Sequence, residues 1–283
     1  MKFVLDDKDF AKLTSVEGPL EGKFFDAEIV LVSFLTDRKT IKRIIPRPLK
    51  PASPPTATAF VAKYPKTNFE CVYNEAALSL NVEYKGEPGS YCLSMPVTDD
   101  MAMIGGREIY GFPKKIAEKI SLDATETGVN GSCVRRGTEL INLSMDFEQE
   151  VDKEDLLKLL NPGGPKSETW EAVNYLFKYF IAPDGSGFDY KPRLVRQVSS
   201  ISPVKKIKLS SKFELNLKSS NRDFLGEIPV KSPIMGAYGF FNMTMHLGKV
   251  VAEVDEFSFM PYAFSKVDFV ISEDKELTPE AKH

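Results

Sequence analysis

The run Gly105-Gly106-Arg107-Glu108-Ile109-Tyr110-Gly111-Phe112-Pro113-Lys114-Lys115-Ile116-Ala117-Glu118 sets two lysines side by side behind glycine, aromatic and aliphatic residues. A lysine amine attacks a carbonyl carbon only after losing its proton. In water that proton is held with a pKa of about 10.4, and burial among apolar groups lowers this by up to about 3–5 units. A second ammonium close by acts in the same direction. Lys114 and Lys115, beside Tyr110, Phe112 and Ile116, therefore make a candidate Schiff-base site. The competing reading is a solvated edge, which is what most adjacent lysines form. On a strand the two side chains would leave on opposite faces, and only one could enter a pocket. Desolvation would then matter more than repulsion between the two amines, because a charge pointing into water is screened.

The order of the residues says more than the pair. Gly-Arg-Glu-Ile-Tyr-Gly-Phe-Pro-Lys-Lys resembles the active-site segment of the acetoacetate decarboxylase family, itself the usual illustration of a lysine activated by a nearby cation. Upstream, Arg43-Ile44-Ile45-Pro46-Arg47-Pro48-Leu49 resembles that family's Val-Pro-x-Pro-Leu segment. Cys71-Val72-Tyr73-Asn74-Glu75 resembles its Tyr-x-Glu. The similarity is clear over roughly residues 23 to 122. It is weaker beyond, near Arg193-Leu194-Val195 and Ile228-Pro229-Val230-Lys231. The resemblance implies that Lys114 is the Schiff-base lysine, Lys115 its neighbouring cation and Glu75 the supporting carboxylate. It also implies a carbon–carbon lyase that works without a cofactor, and a homo-oligomer.

Two positions depart from the family. Its decarboxylases carry an arginine and a second glutamate near the substrate, and local alignment puts Ala27 and Phe60 there. An arginine fork is the natural partner of a substrate carboxylate. Its loss predicts a more apolar pocket, suited to a larger or less charged carbonyl compound. Relatives with such changes are associated with aldol-type and dehydration chemistry through the same lysine imine. The candidate substrate-binding residues are Ala27, Phe60, Tyr110, Phe112, Arg107 and Glu108. The plainer reading of the last two is an ion pair that fixes the turn.

Glu75 could be a strand residue facing water; its functional reading rests on the Tyr-x-Glu match and on the proton transfers that imine formation needs. The leading expectation is decarboxylation of a β-keto acid, with the iminium as electron sink. One alternative is a lysine-imine aldolase or dehydratase acting on a larger oxo acid. The other is a non-catalytic β-barrel that binds an apolar small molecule, with Lys114 exposed, or salt-bridged and unreactive.

Composition and charge speak against nucleic-acid and membrane partners, which leaves the small oxo-acid or ketone substrate that the resemblance implies. The 283 residues carry a net charge of −3, and the isoelectric point is about 5.7. No basic stripe points to nucleic acid. Lys205-Lys206-Ile207-Lys208 reads as an exposed strand face. No apolar run approaches the ~18 residues of a membrane span, and Met1 to Lys8 lacks an apolar signal core. Cys71, Cys92 and Cys133 show no metal or disulfide spacing, and suggest reduced thiols in a cytoplasmic protein. Only His246 and His283 exist, so a Ser-His-Asp triad could realistically use only His246. Without a Gly-x-Ser-x-Gly elbow, the plainer reading of His246 is a strand residue paired near the core.

Short β-branched and aromatic runs dominate the chain and predict a mainly β (β-rich α+β) fold, a large antiparallel sheet or barrel with a few short helices. Strands are expected over 23–35, 56–64, 73–84, 90–97, 131–136, 139–147, 194–201, 207–217, 237–247 and 249–253. Lys85-Gly86 is expected to turn, and Gly248 to make a hairpin between the last two strands. Thr36-Asp37 can cap a helix to Ile45, and 152–160 is a second. Trp170, Val173, Phe177 and Phe180 fall at helical spacing, predicting a third over 168–180 and a candidate subunit interface. The expected organisation is one domain over 1–283 with a helical insertion at about 151–182.

Overall fold

The computed structural model describes residues 4–15, 18, 20–160 and 168–268. Its strands are β1 (Gly22–Leu35), β2 (Lys50–Pro51), β3 (Thr56–Tyr64), β4 (Lys66–Thr67), β5 (Tyr73–Tyr84), β6 (Glu87–Val97), β7 (Lys114–Ile116), β8 (Lys119–Ala124) and β9 (Gly128–Arg135). They continue as β10 (Thr138–Asp146), β11 (Gln149–Val151), β12 (Trp170–Lys178), β13 (Arg193–Pro203), β14 (Ile207–Ser210), β15 (Phe213–Leu217), β16 (Ser232–Met245) and β17 (Lys249–Glu253). The order β16-β1-β3-β5-β6-β12-β13, closed by pairing of β13 back onto β16, makes a seven-stranded barrel. Closure removes the free edges that an open sheet would expose. All barrel pairings are antiparallel except β6–β12, which is parallel.

Both faces of the leading strands are apolar, for a visible reason. Val30, Val32, Val61, Leu78 and Leu80 point outward, against Leu122, Val129, Leu140 and Leu143 of a four-stranded sheet, β15-β10-β9-β8. Close approach of the two sheets requires Gly131: a Cβ there would sit 3.0 Å from Val61. The alternate residues line the barrel's interior. Ala27, Ala62, Tyr73, Val97 and Phe241 form one cluster, and Ala77, Met95, Leu176 and Val195 a second. All seven barrel strands contribute to these two clusters, which is what a packed barrel interior requires.

The β-rich, barrel-like expectation holds. Lys85 and Gly86 both take positive φ, 51° and 85°, as the tight β5–β6 turn needs. Asp37 caps the helix Arg38–Ile44, accepting from the Thr40 amide, and the helix expected over 152–160 forms over Lys153–Leu160. Glu150 pairs with both Lys206 and Lys208; of the basic patch read as an exposed strand face, Lys205 and Lys206 are exposed but precede β14, which begins at the buried Ile207.

Three expectations are corrected. The helix over 168–180 gives way to strand β12, so that of the helical insertion expected at about 151–182 the described helical part is Lys153–Leu160. Residues 161–167 lie outside the described residues. Tyr175 and Phe177 join the outer core while Leu176 enters the barrel, so both faces are buried and the helical spacing was coincidental. Residues 207–217 form two strands in different sheets, broken at Ser211-Lys212. Gly248 makes no hairpin: β16 and β17 run in the same direction along β13, pairing with its second and first halves respectively.

Candidate active site

Lys114 opens β7, which pairs in parallel with β6 and sets Lys114 beside Met95. The segment before it is a π-helix, Gly105–Tyr110, ended by Gly111 at φ 98°. The amides of Gly111 and Phe112 both donate to the Gly106 carbonyl, which turns the chain into the strand. A Cβ on Gly111 would lie 2.7 Å from the Phe177 carbonyl oxygen; one on Gly106 would lie 2.6 Å from Cδ and Cε of Lys114. The two glycines therefore set the turn and leave room for the lysine.

Alternation on β7 sends the two lysines to opposite sides. Lys114, 6% exposed, points inward, and its Nζ donates to Oε2 of Glu75 at 2.7 Å. Glu75, on β5, is 4% exposed, and its other oxygen accepts from the Tyr64 hydroxyl at 3.3 Å. The amine lies 5.2 Å from the centre of the Tyr73 ring and 6.0 Å from that of Phe112. Burial first, then the charge of Glu75, pushes the hydroxyls of Tyr64 and Tyr73 well above the usual tyrosine range. Both stay protonated at any working pH, so Tyr64 is a fixed donor to Glu75. Burial also pushes the Cys71 and Cys92 thiols up to about 12.

Lys115 faces the other way. Its Nζ contacts Asp223 Oδ1 at 3.0 Å, the Arg222 carbonyl at 3.1 Å and Asp268 Oδ1 at 3.4 Å. Arg135 binds the second oxygens of both aspartates. This buried ionic knot ties β7 to β9 and to two later segments of chain. A cavity of about 600 Å³ opens here, lined by Lys115, Arg107, Arg135, Arg136, Lys266 and Asp268 among others.

The candidate residues therefore divide. Lys114, Glu75 and Phe112 meet inside the barrel. Phe60 sits across from Ala77 and packs with the same cluster. Ala27 is fully buried in the cluster that holds Tyr64 and Tyr73. Tyr110 is buried beside Phe112, with its hydroxyl donating to the Leu20 carbonyl. Arg107 reaches the Lys114 carbonyl at 3.5 Å and the outer cavity, away from the amine. Glu108 is exposed, and among the described residues no ion pair joins it to Arg107. Sequence reasoning missed Tyr64, whose position follows only from the β3–β5 register that puts Ala62 opposite Glu75. It also missed Asp223 and Asp268, more than 100 residues from Lys115 in the chain.

The acetoacetate decarboxylase family model matches residues 13–254. An acetoacetate decarboxylase of Burkholderia mallei is 31% identical over 178 residues, 62% of this chain and 67% of its own length. The crystal structure of acetoacetate decarboxylase from Legionella pneumophila superposes with a TM-score of 0.71 at 22% identity, covering 82% of this chain and 88% of that one. The enduracididine biosynthesis enzyme MppR, complexed with the condensation product of pyruvate and imidazole 4-carboxaldehyde, superposes with a TM-score of 0.66 at 18% identity, covering 83% and 90%. The matched span includes both halves of the Lys114–Glu75 pair and every barrel strand, and this chain belongs to the acetoacetate decarboxylase family.

Proposed function

We propose that this protein is a Schiff-base lyase acting on a β-keto acid through Lys114. The observation that carries the reading is the enclosed Lys114–Glu75 pair, at 2.7 Å between two aromatic rings. Glu75 takes the proton from the amine as the keto acid parts the pair. The neutral nitrogen attacks the ketone carbon, and loss of water, with the proton returned by Glu75, gives an iminium. The bond to the carboxylate then breaks with its electrons flowing into the iminium. Carbon dioxide leaves, the enamine carbon takes up a proton, and water releases the ketone. Tyr64 holds Glu75 in line throughout. No Lys115 contact reaches the reacting atoms, so its proposed part is to anchor β7.

A second reading is favoured by Ala27 and Phe60. They make this end of the barrel apolar where the family's decarboxylases carry an arginine and a glutamate. The same enamine would then attack an aldehyde and eliminate water, in line with the condensation product bound to MppR. We also read the protein as a cytoplasmic homo-oligomer, with three buried free thiols in keeping with a reducing compartment.

Borohydride trapping with acetoacetate, pyruvate and longer oxo acids, read by peptide mass spectrometry, tests both. An adduct on Lys114 is expected. Carbon dioxide release then separates decarboxylation from aldol chemistry. No adduct with any carbonyl compound would leave the non-catalytic barrel as the correct reading.

A further inference from the structure

The outer wall of the barrel carries a hydrogen-bonded chain that the lysine chemistry does not use. Ser200 Oγ lies 2.8 Å from His246 Nε2, and His246 Nδ1 lies 2.7 Å from Glu21 Oε1. Sheet register builds this arrangement. On β16 and β1, Met245 and Gly22 are partners, as are Thr244 and Lys23. On β13, Ser199 faces Met245 and Ser200 faces Thr244. One residue further along, the His246 amide donates to the Val198 carbonyl. Alternation then turns Glu21, His246, Thr244 and Ser200 to one face, opposite the face that Met243 and Met245 turn into the barrel.

The chemistry of the chain is ordered. A carboxylate beside Nδ1 keeps the ring proton there, which leaves the Nε2 lone pair facing the serine hydroxyl. The carboxylate is enclosed, with the Glu21 side chain 9% exposed, whereas that of His246 is 40% exposed and open to a substrate. Nucleophile, base and orienting acid thus occupy the relative positions that define an acyl-transfer triad, whatever the fold. Thr244, directly across from Ser200, supplies a hydroxyl on the same face that can donate to a developing oxyanion.

We propose that Ser200, His246 and Glu21 form a second catalytic site that hydrolyses small, activated carboxylic esters. Ser200 Oγ attacks the ester carbonyl carbon as its proton passes to His246 Nε2. The tetrahedral adduct expels the alcohol, which takes that proton, and leaves an acyl-serine. Water, deprotonated by the same nitrogen, then attacks the acyl carbon; the carboxylic acid departs and Ser200 recovers its proton. The site shares no residue with the Lys114 pair and does not depend on the lyase reading.

The test uses full-length protein carrying Lys114→Ala, which removes a competing acylation of the amine. A fluorophosphonate probe and 4-nitrophenyl acetate are the reagents, and peptide mass spectrometry locates the adduct. The expected result is a single adduct on Ser200, lost in Ser200→Ala. Labelling should slow about 100-fold or more in His246→Gln and in the isosteric Glu21→Gln, the scale of a lost general base. Ser200→Ala alone should still trap oxo acids on Lys114 as the parent protein does. An unlabelled Ser200 in protein that still unfolds cooperatively overturns the proposal. So does a Ser200 labelled equally fast in His246→Gln.

Discussion

Lys114 and Lys115 are neighbours in the chain and opposites in environment. One enters the barrel and meets a single carboxylate among tyrosines and a phenylalanine. The other leaves it and meets two aspartates, a backbone carbonyl and, across the same aspartates, Arg135. A single carboxylate that is itself held by Tyr64 can take and return a proton. An aspartate shared between a lysine and an arginine is fully committed to neutralising them. On the proposed reading, what separates a reactive lysine from a structural one is the number of charges each face supplies, and strand alternation decides which face each residue gets.

The largest effect should come from Lys114→Ala. Imine trapping and turnover should vanish together, and because Glu75 loses its buried partner the protein should also lose up to roughly 3–5 kcal/mol of stability. Residual trapping on another lysine would break the contrast. On the other face, Lys115→Met should keep imine formation at Lys114 but leave Asp223, whose side chain is 3% exposed, short of a partner. Removing one member of a buried ion pair costs roughly 3–5 kcal/mol. Arg135 remains to offset part of that, so the lower end is expected in a urea titration. Loss of trapping in a variant that remains folded would return Lys115 to the chemistry.

Much of this contrast was legible in the sequence, and the rest was not, for physical reasons. The Lys-Lys run, Glu75 and the strand-forming segments announce themselves because their signals are local: residue order, alternation, and a turn at Lys85-Gly86 that needs two positive φ angles. The partners of Lys115 sit more than 100 residues downstream, and pairing at that distance leaves no periodic trace. The segment around Trp170 misled because β12 is buried on both faces at Tyr175–Phe177, and the apolar residues Trp170, Val173, Phe177 and Phe180 fall at helical spacing by coincidence. His246 read as a strand residue paired near the core because Glu21 and Ser200 come to it only through the pairing of distant strands.

Gly106→Ala sharpens the inner face at a smaller scale. Its Cβ would fall 2.6 Å from Lys114 Cδ and Cε, so the lysine has to shift while the π-helix backbone need not. A misplacement of about 1 Å costs on the order of 100-fold in rate. The turnover number should fall by that much with stability little changed. An unaffected turnover number would show that Lys114 is free to find its position without the glycine.

A third buried lysine extends the comparison to a face that supplies no carboxylate. Lys266 is 7% exposed; its Nζ donates to the Phe177 carbonyl at 2.7 Å and lies 4.2 Å from the centre of the Tyr179 ring. Among the described residues it has no ion pair. Burial, followed by repulsion from Arg107 and Lys178, lowers its pKa to about 7. The unfolded chain holds this proton up to about pH 10.5, so between about pH 7 and 10.5 the unfolded state binds more protons than the folded one. The full penalty of charging Lys266 is therefore present below about pH 7 and is relieved as the pH rises, by at most about 1.4 kcal/mol per pH unit for one proton. Lys266→Met keeps much of the volume and removes the titration. The difference in unfolding free energy between parent and variant should narrow from pH 7 to 9 with that sign. A difference independent of pH would mean that Lys266 keeps its proton, and that a carbonyl and a ring can replace the carboxylates that Lys115 requires.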